Sequence, residues 1–172
     1  VVLGASIYSS SGSIIGGVLG LSDAGVKIAN MSIYDTNERT ESYNALEIYM
    51  DYVVSQNKLL VVKSAGNDHD AVSSPGMAYN VITTGGFFNQ GTTDQSDVIY
   101  RNSNYYKGSG CFKPDFIADQ SYAYKEIEHR NTTGTSYAAP FVTGTIALLY
   151  ELRPSLAAQP EAVKAILMAS CH

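Results

Sequence analysis

Apolar residues along this chain fall into short runs that alternate with helix-like spacings. The short runs, which are typical of strands buried on both faces, cover residues 1–6, 26–33, 58–64 and 80–85. Helices are predicted for residues 14–24, 40–56, 135–152 and 159–170. Strands that alternate with helices of this length predict βαβ units. We therefore expect an α/β fold, with a mainly parallel twisted sheet and helices on both faces.

The remaining segments carry weaker patterns. Residues 87–110 are polar and rich in Asn, Ser and Tyr, which predicts surface loops and short strands. The serine-rich residues 9–13 predict a flexible loop, and residues 115–118 and 123–128 predict two further short strands. Gly25 is placed to end the first helix as a C′ glycine. Because no internal repeat and no linker-like break interrupts the chain, its 172 residues are interpreted as a single unit.

The composition is that of an acidic globular protein. Hydrophobic residues make up 45% of the chain, and 11 Lys and Arg against 16 Asp and Glu give a formal net charge of −5. The apolar content argues against a disordered chain, and the acidic balance argues against nucleic-acid binding through a broad basic face. The longest charge-free apolar stretch, residues 137–150, is shorter than the about 20 residues that span a membrane. For Cys111 and Cys171, two free buried thiols are favoured over a disulfide.

The most informative segment is residues 131–150, where a glycine and a serine precede a helical pattern. Gly134 permits a tight turn, and Ser136 is placed where the helix opens. The unpaired N–H groups and the positive end of the helix dipole at that place stabilise negative charge. The alternative is that Thr135 or Ser136 is only an N-cap, a common role of both residue types. Small residues that follow are expected to let the helix pack closely under the sheet: Ala138, Ala139, Gly144 and Ala147.

One string of residues resembles the nucleophile motif of the subtilisin-like serine proteases, the subtilases: Gly134-Thr135-Ser136-Tyr137-Ala138-Ala139-Pro140. That motif is usually Gly-Thr-Ser-Met-Ala-(Ala/Ser)-Pro, so only Tyr137 departs from it. Further segments resemble the family in the family's order: Asn30-Met31-Ser32, Ser64-Ala65-Gly66-Asn67, Lys113-Pro114-Asp115 and the helix that begins near Pro160. The resemblance covers nearly the whole chain and implies a three-layer α/β fold of the subtilisin type.

The resemblance implies a serine endopeptidase that hydrolyses peptide bonds of a polypeptide substrate. Ser136 is then the nucleophile, and Asn67 donates its side-chain NH₂, together with the Ser136 N–H, to the oxyanion. The alternative for Asn67 is an asparagine that merely favours a turn after a strand. The residues implied to line the substrate pocket are Ser32, Ile33, Tyr34, Ser64, Ala65 and Gly66. The resemblance also favours a secreted or extracytoplasmic location.

The two catalytic partners of such a serine are missing from the matched segments. In the family an Asp-(Thr/Ser)-Gly motif and a His-Gly-Thr motif supply the carboxylate and the base, and neither string occurs here. None of His69, His129 and His172 has the helix-start setting of the base, and His69 is interpreted as a loop histidine. We expect the first strands, with the Asp and His, on a preceding N-terminal segment or a second chain, so that this chain alone is inactive. The alternative is a non-catalytic relative that binds extended peptide or serves structurally.

Other departures from the family pattern concern the pocket and one turn. Tyr34 stands where the family usually has glycine, and a tyrosine there would narrow or cap the pocket. Ala118-Asp119-Gln120 replaces the usual Ala-Pro-Gly, so a different path is expected for that turn. No cofactor is expected. No calcium-loop pattern occurs in the sequence, although scattered carboxylates leave a calcium site open.

Overall fold

Four α-helices and nine short strands occupy the residues that the structure describes. The structure is a computed structural model, and it describes residues 11–33, 43–88, 98–108, 111–122 and 132–171. The helices are α1 (Ser11–Asp23), α2 (Ala45–Tyr52), α3 (Thr135–Leu152) and α4 (Pro160–Ser170). The strands are β1 (Ile28–Met31), β2 (Leu60–Ser64), β3 (Ile82–Phe88), β4 (Val98–Ile99), β5 (Tyr106–Gly108), β6 (Cys111–Lys113), β7 (Phe116–Asp119), β8 (Ser121–Tyr122) and β9 (Thr132–Thr133). A π-helical turn, Val53–Asn57, extends α2, and a 3₁₀ turn, Pro154–Ala158, follows α3.

The central sheet is mainly parallel. Strands β1, β2 and β3 pair in parallel in that order, with Ala29 opposite Val61 and Lys63 opposite Thr83. Strand β7 also runs parallel to β3, whereas β4 pairs with the end of β3 in the antiparallel direction. Two small antiparallel ribbons, β5–β6 and β8–β9, lie outside this sheet. The parallel sheet predicted from the alternation of elements is therefore confirmed.

Both faces of the sheet are covered. All five residues of β2 are buried, and successive side chains of a strand point to opposite faces. Helix α3 packs against β1, β2, β3 and β7. The core also takes side chains from the other three helices, among them Ile14 of α1, Met50 of α2 and Val163 of α4. A sheet enclosed between helices in this way is the three-layer α/β fold that the resemblance implied.

The first helix starts earlier than the sequence pattern predicted. Helix α1 begins at Ser11, so the loop prediction was wrong for residues 11–13. Serine costs only a few tenths of a kcal/mol in a helix, and Ile14 and Val18 bury one face of α1 and hold it in place. Gly25 lies beyond the helix end with a φ of 72°, as predicted.

The second helix starts later than predicted. The pattern placed its start at residue 40, whereas Tyr43 and Asn44 are not helical and α2 begins at Ala45. The reason is a side-chain cap, because Asn44 Oδ1 accepts the N–H of Leu46 at 2.8 Å.

Helix α3 has its predicted bounds. Residues 1–6 and 123–128, two predicted strands, lie outside the described residues.

Helix α3 is buried on one side only. Ala138 and Ala139 are buried against the sheet, as expected for small residues there. Gly144 and Ala147 are exposed, so the prediction of close packing was wrong for them, because they lie on the accessible side of α3 while Ile146 faces the core. Large apolar side chains of α3 are exposed too. The accessible fraction is 53% for Phe141, 62% for Leu148 and 75% for Leu152. The described residues leave this apolar side of α3 uncovered.

A buried ion network fastens the sheet to α4. The Asp115 carboxylate accepts from the ammonium groups of Lys113 and Lys164, each at 2.8 Å, and from the N–H of Thr83 at 2.7 Å. The same two lysines also donate to the carbonyl of Val81, at 2.9 and 3.0 Å. The Lys-Pro-Asp segment therefore joins the start of β3, the β6–β7 connection and α4.

We expect Asp115→Ala to lower the free energy of unfolding by about 3 kcal/mol, because two mostly buried cations lose their counter-charge. Urea unfolding followed by circular dichroism measures this change. The control is Glu161→Gln, which removes the exposed Lys58–Glu161 pair at 3.6 Å and is expected to cost less than about 1 kcal/mol. Equal costs for the two variants would contradict the role assigned to Asp115.

Candidate active site

The candidate active site lies where the carboxyl ends of β1 and β2 meet the first turn of α3. Ser32 follows β1, Gly66 and Asn67 follow β2, and Ser136 is the second residue of α3. The carboxyl ends of parallel strands meet at one edge of a sheet, which is where α/β proteins place their ligands. The topology therefore brings residues that are far apart in the sequence to one edge.

The Asn67 side chain is oriented by α3. Its Oδ1 accepts the backbone N–H of Thr135 at 2.8 Å and is 3.1 Å from the Thr135 hydroxyl. Because the carbonyl end of the amide is held in this way, the Nδ2 end is directed away from Thr135. Asn67 is exposed, so its NH₂ donor is accessible from outside.

Thr135 is one residue of this site whose role the sequence interpretation missed. It is completely buried, and its hydroxyl oxygen accepts the N–H of Gly66 at 3.1 Å. The N-cap of α3 is Gly134, which has no side chain that could cap the helix. The alternative in which Thr135 or Ser136 is only the N-cap is therefore wrong. The cap is supplied instead by Asn67, because Thr135 and Asn67 are brought together by the fold. The Gly-Thr-Ser string contained the signal, but Thr135 was interpreted only as a possible N-cap.

Ser136 lies among backbone donors at the start of α3. Of the first three N–H groups of the helix, that of Thr135 is accepted by Asn67 and that of Tyr137 by the Gly134 carbonyl at 2.9 Å. The N–H of Ser136, which lies between them in the chain, takes part in neither of these two bonds. The Ser136 carbonyl accepts the hydroxyl of Ser32 at 3.1 Å, which fixes the end of β1 against the same turn. Ser136 itself is half-buried.

Gly134 has a backbone conformation that other residues rarely adopt. Its φ is 150° and its ψ is 157°, in a region that is populated almost only by glycine. A Cβ at this position would lie 3.4 Å from both Oδ1 and Nδ2 of Asn67. The turn before Ser136 therefore needs glycine for its backbone, whereas a Cβ there would make only an ordinary van der Waals contact with the amide.

The loop that carries Asn67 is held by Asn104. We call residues 66–73 the oxyanion loop, after the role that the resemblance implies for Asn67. The Oδ1 of Asn104 accepts the N–H groups of Asp68 and Asp70, at 2.7 and 3.3 Å, and its Nδ2 donates to the Ala71 carbonyl at 2.9 Å. Its own N–H donates to the Gly66 carbonyl at 3.0 Å. Asn104 lies in the segment predicted as surface loops and short strands, where no pattern marked it.

Gly66 and Asn104 are in close contact. A Cβ on Gly66, whose φ is 114°, would lie 2.4 Å from the Asn104 Nδ2. A side chain at residue 66 would thus displace Asn104, and with it the hydrogen bonds of the oxyanion loop.

The other predicted pocket residues are only partly accessible. Ser64 and Ala65 are buried, so these two residues can offer little more than backbone to a substrate. Ser32 and Ile33 are half-buried. Tyr34 lies outside the described residues. The structure thus brings Ser32, Gly66, Asn67 and Ser136 together, with the backbone of Ser64 and Ala65 behind them.

Comparison with known proteins assigns this arrangement to a family. The sequence pattern of the Subtilase family matches residues 3–171 of this chain. The chain belongs to this family of serine proteases. Subtilisin Savinase of Lederbergia lenta is 28% identical over 154 residues, which cover 90% of this chain and 53% of that protein. An alkaline protease of Alkalihalobacillus alcalophilus is 28% identical over the same length, which is 37% of that protein.

Solved structures of proteases share the fold of the chain. The prenylagaramide maturation protease PagA superposes with a TM-score of 0.74 at 23% identity, over 100% of this chain and 62% of that one. A cold-adapted subtilisin-like serine proteinase gives 0.71 at 23% identity, over 98% of this chain and 57% of that one. The subtilisin-like fold implied by the motifs is therefore confirmed. This subtilase chain spans about half the length of the relatives it matches.

Of the three histidines in this subtilase chain, the structure describes only His69. Its side chain is exposed, its Nδ1 pairs with the Arg101 carbonyl, and its ring meets that of Tyr105 edge-on at 5.6 Å. These contacts are those of a loop histidine. His129 and His172 lie outside the described residues.

Metal, membrane and thiol features add little to the site. Among the side chains described, no group of three or more His, Cys, Asp or Glu is placed to hold a metal ion. No helix in the described ranges is long and apolar enough to cross a membrane.

Cys171 carries a free thiol, and it is exposed. The prediction of a buried thiol was wrong for this residue, because it follows the last turn of α4. The Cys111 side chain lies outside the described part of the structure.

We expect Asn104→Ala to lower the free energy of unfolding by about 2–3 kcal/mol, because several buried hydrogen bonds to the oxyanion loop are lost together. The amides of Asp68 and Asp70 should then exchange with solvent faster, while those of α3 keep their rates. Urea unfolding and hydrogen exchange measure the two effects. Asn102→Ala, at an exposed neighbouring position, is the control and should stay within about 0.5 kcal/mol of the wild type. Wild-type exchange at Asp68 and Asp70 in Asn104→Ala would contradict the role given to Asn104.

Proposed function

We propose that this chain is the C-terminal portion of a subtilase catalytic domain that hydrolyses peptide bonds, with Ser136 as nucleophile and Asn67 as oxyanion donor. One observation carries the proposal. Asn67 Oδ1 is held by Thr135 at 2.8 Å, which leaves Nδ2 as the free donor next to the turn that bears Ser136. An amide oriented in this way before any substrate arrives is what stabilisation of an oxyanion requires.

In the proposed reaction the Ser136 hydroxyl attacks the carbonyl carbon of the scissile peptide. The carbonyl oxygen gains a negative charge, and Asn67 Nδ2 and the Ser136 N–H donate hydrogen bonds to it. The N-terminal end of α3 adds the positive end of its dipole at the same place. Since these donors are fixed by the fold, little reorganisation accompanies the reaction.

The proton of the Ser136 hydroxyl has to pass to a base, which the matched motifs of this chain do not supply. We infer that a histidine, oriented by an aspartate, comes from a segment or second chain outside these 172 residues. The uncovered apolar side of α3, with Leu152 75% accessible, supports such a neighbour. An apolar surface of this kind is normally covered in a stable protein.

The proposed substrate is an extended polypeptide. Its side chain before the scissile bond would enter between the end of β1, at Ser32 and Ile33, and the backbone of residues 64–66. Tyr34 follows directly on Ile33 in the sequence, so we expect a narrower pocket than a glycine would leave. A secreted or extracytoplasmic location is part of the same proposal, as is the absence of a required cofactor.

The test of the proposed function is labelling of the native full-length protein with a fluorophosphonate probe. We expect a covalent adduct on Ser136, identified by mass spectrometry, and no adduct in Ser136→Ala. A folded full-length protein that remains unlabelled would overturn the proposal and favour a non-catalytic relative that binds extended peptide. Label that persists in Ser136→Ala would show that another residue is the nucleophile.

We expect Asn67→Asp to lower kcat by about 10²–10³, a magnitude that comes from subtilisin itself. The aspartate keeps an acceptor for the Thr135 N–H, whereas the NH₂ donor is lost and a negative charge faces the oxyanion. KM should change much less than kcat, because the donor acts mainly in the transition state. The control is Asn57→Asp, on the π-helical turn that precedes the amino end of β2, at the opposite end of that strand from Asn67. This variant should leave kcat unchanged. A kcat within a factor of about 3 of the wild type for Asn67→Asp would contradict the assignment.

A further inference from the structure

A lysine is completely buried in the middle of the sheet. Lys63 of β2 has no accessible surface, which is rare for this residue type. Its neighbours on the adjacent strands, Met31 and Thr83, are uncharged. The charge that acts on Lys63 is that of Glu47 on α2, which is itself completely buried.

The Lys63 ammonium joins the two ends of the oxyanion loop. It donates to the carbonyl of Ser64 and, at 3.1 Å, to the hydroxyl of Ser73. The Ser73 hydroxyl in turn donates to the Ala65 carbonyl at 3.4 Å, and the Ser73 N–H donates to the same carbonyl at 3.3 Å. The chain leaves β2 through Ser64 and Ala65 and returns at Ser73. Lys63 thus closes the base of the loop that carries Asn67.

We propose that Lys63 is a positioning residue that fixes the base of the oxyanion loop and thereby the place of the Asn67 donor. The proposal rests on the function proposed above. Three constraints then act on the loop: Thr135 holds the Asn67 side chain, Asn104 holds the middle of the loop, and Lys63 holds its ends. A catalytic donor has to be placed within about 0.5 Å, so each constraint affects the reaction.

Lys63 can do this in either protonation state. Burial lowers the pKa of Lys63 to about 7, although the charge of Glu47 acts in the opposite direction. An ammonium group has three N–H donors and a neutral amine has two, so the bonds to Ser64 and Ser73 are available to both forms.

A lysine next to a serine also raises the possibility of a second nucleophile. Ser–Lys pairs serve as nucleophile and base in some proteases. Here Lys63 is completely buried, Ser73 is 7% accessible, and the Ser73 proton is directed to the Ala65 carbonyl. A substrate does not reach this pair, and therefore we assign it to the support of the loop.

The test compares variants of the native full-length protein. Lys63→Met alone would remove the cation whose charge acts on the buried Glu47, so the main variant is Lys63→Met/Glu47→Gln, which removes both charges at similar volume. Ser73→Ala is a second, milder variant that removes only the link from Lys63 to Ala65. The control is Lys164→Met, because Lys164 also donates to two backbone carbonyls, those of Tyr79 at 2.7 Å and Val81 at 3.0 Å. Its other partner among the described residues is Asp115, so none of its contacts is with residues 66–73.

Hydrogen exchange of residues 66–73 and fluorophosphonate labelling of Ser136 are measured for each variant. We expect exchange of the loop amides to rise about tenfold in the double variant and less in Ser73→Ala, with the α3 amides unchanged. Labelling of Ser136 should slow by about tenfold. With a peptide substrate, kcat should fall by a similar factor and KM should change much less. Lys164→Met should change neither the loop amides nor the labelling.

Wild-type exchange of the loop in both folded variants would overturn the role of Lys63. Faster exchange with an unchanged labelling rate would overturn it as well, because the loop would then move without affecting the donor. If the wild-type protein itself is not labelled, the proposed protease function fails, and hydrogen exchange alone still decides whether Lys63 holds the loop.

Discussion

The hydrogen bond from the Thr135 N–H to Asn67 Oδ1 is the contact on which the site depends. It satisfies the first free N–H of α3, and it also fixes which end of the Asn67 amide is held and which end is available. The same threonine accepts the Gly66 N–H through its hydroxyl, so the loop and the helix are joined at two points. Without this junction, the serine on the helix and the amide on the loop would have no fixed relation to each other.

The architecture makes that junction possible. Parallel pairing of β1, β2 and β3 brings their carboxyl ends to one edge, and α3 packs across the sheet with its first turn at that edge. The Ser32 hydroxyl bonds to the Ser136 carbonyl from the β1 side, while Thr135 meets the loop from the β2 side. The polar contacts lie at the rim of a core in which buried apolar residues outnumber buried polar ones, and among the polar ones Lys63 is the most unusual.

Apart from the starts of α1 and α2, the local features of this structure could be predicted from the sequence, whereas the long-range contacts could not. The bounds of α3, the buried run of β2 and the motif around Ser136 are encoded within short segments, and they were identified correctly. The contacts of Thr135 with Asn67 and of Asn104 with Asp68 join residues 68 and 36 positions apart. Apolar periodicity tells which side of an element is buried, but it does not tell which polar groups meet once the elements pack. For the same reason, Lys63 was predicted only as part of a buried strand.

The most direct measurement is a crystal structure of the native full-length protein with a peptidyl boronic acid, which mimics the tetrahedral intermediate. The account predicts boron bonded to the Ser136 hydroxyl oxygen, with one boronate oxygen about 2.7–3.1 Å from Asn67 Nδ2. It also predicts that Asn67 Oδ1 still accepts the Thr135 N–H in that complex. An adduct in which Asn67 is turned away from the boronate, or one formed on a residue other than Ser136, would contradict it.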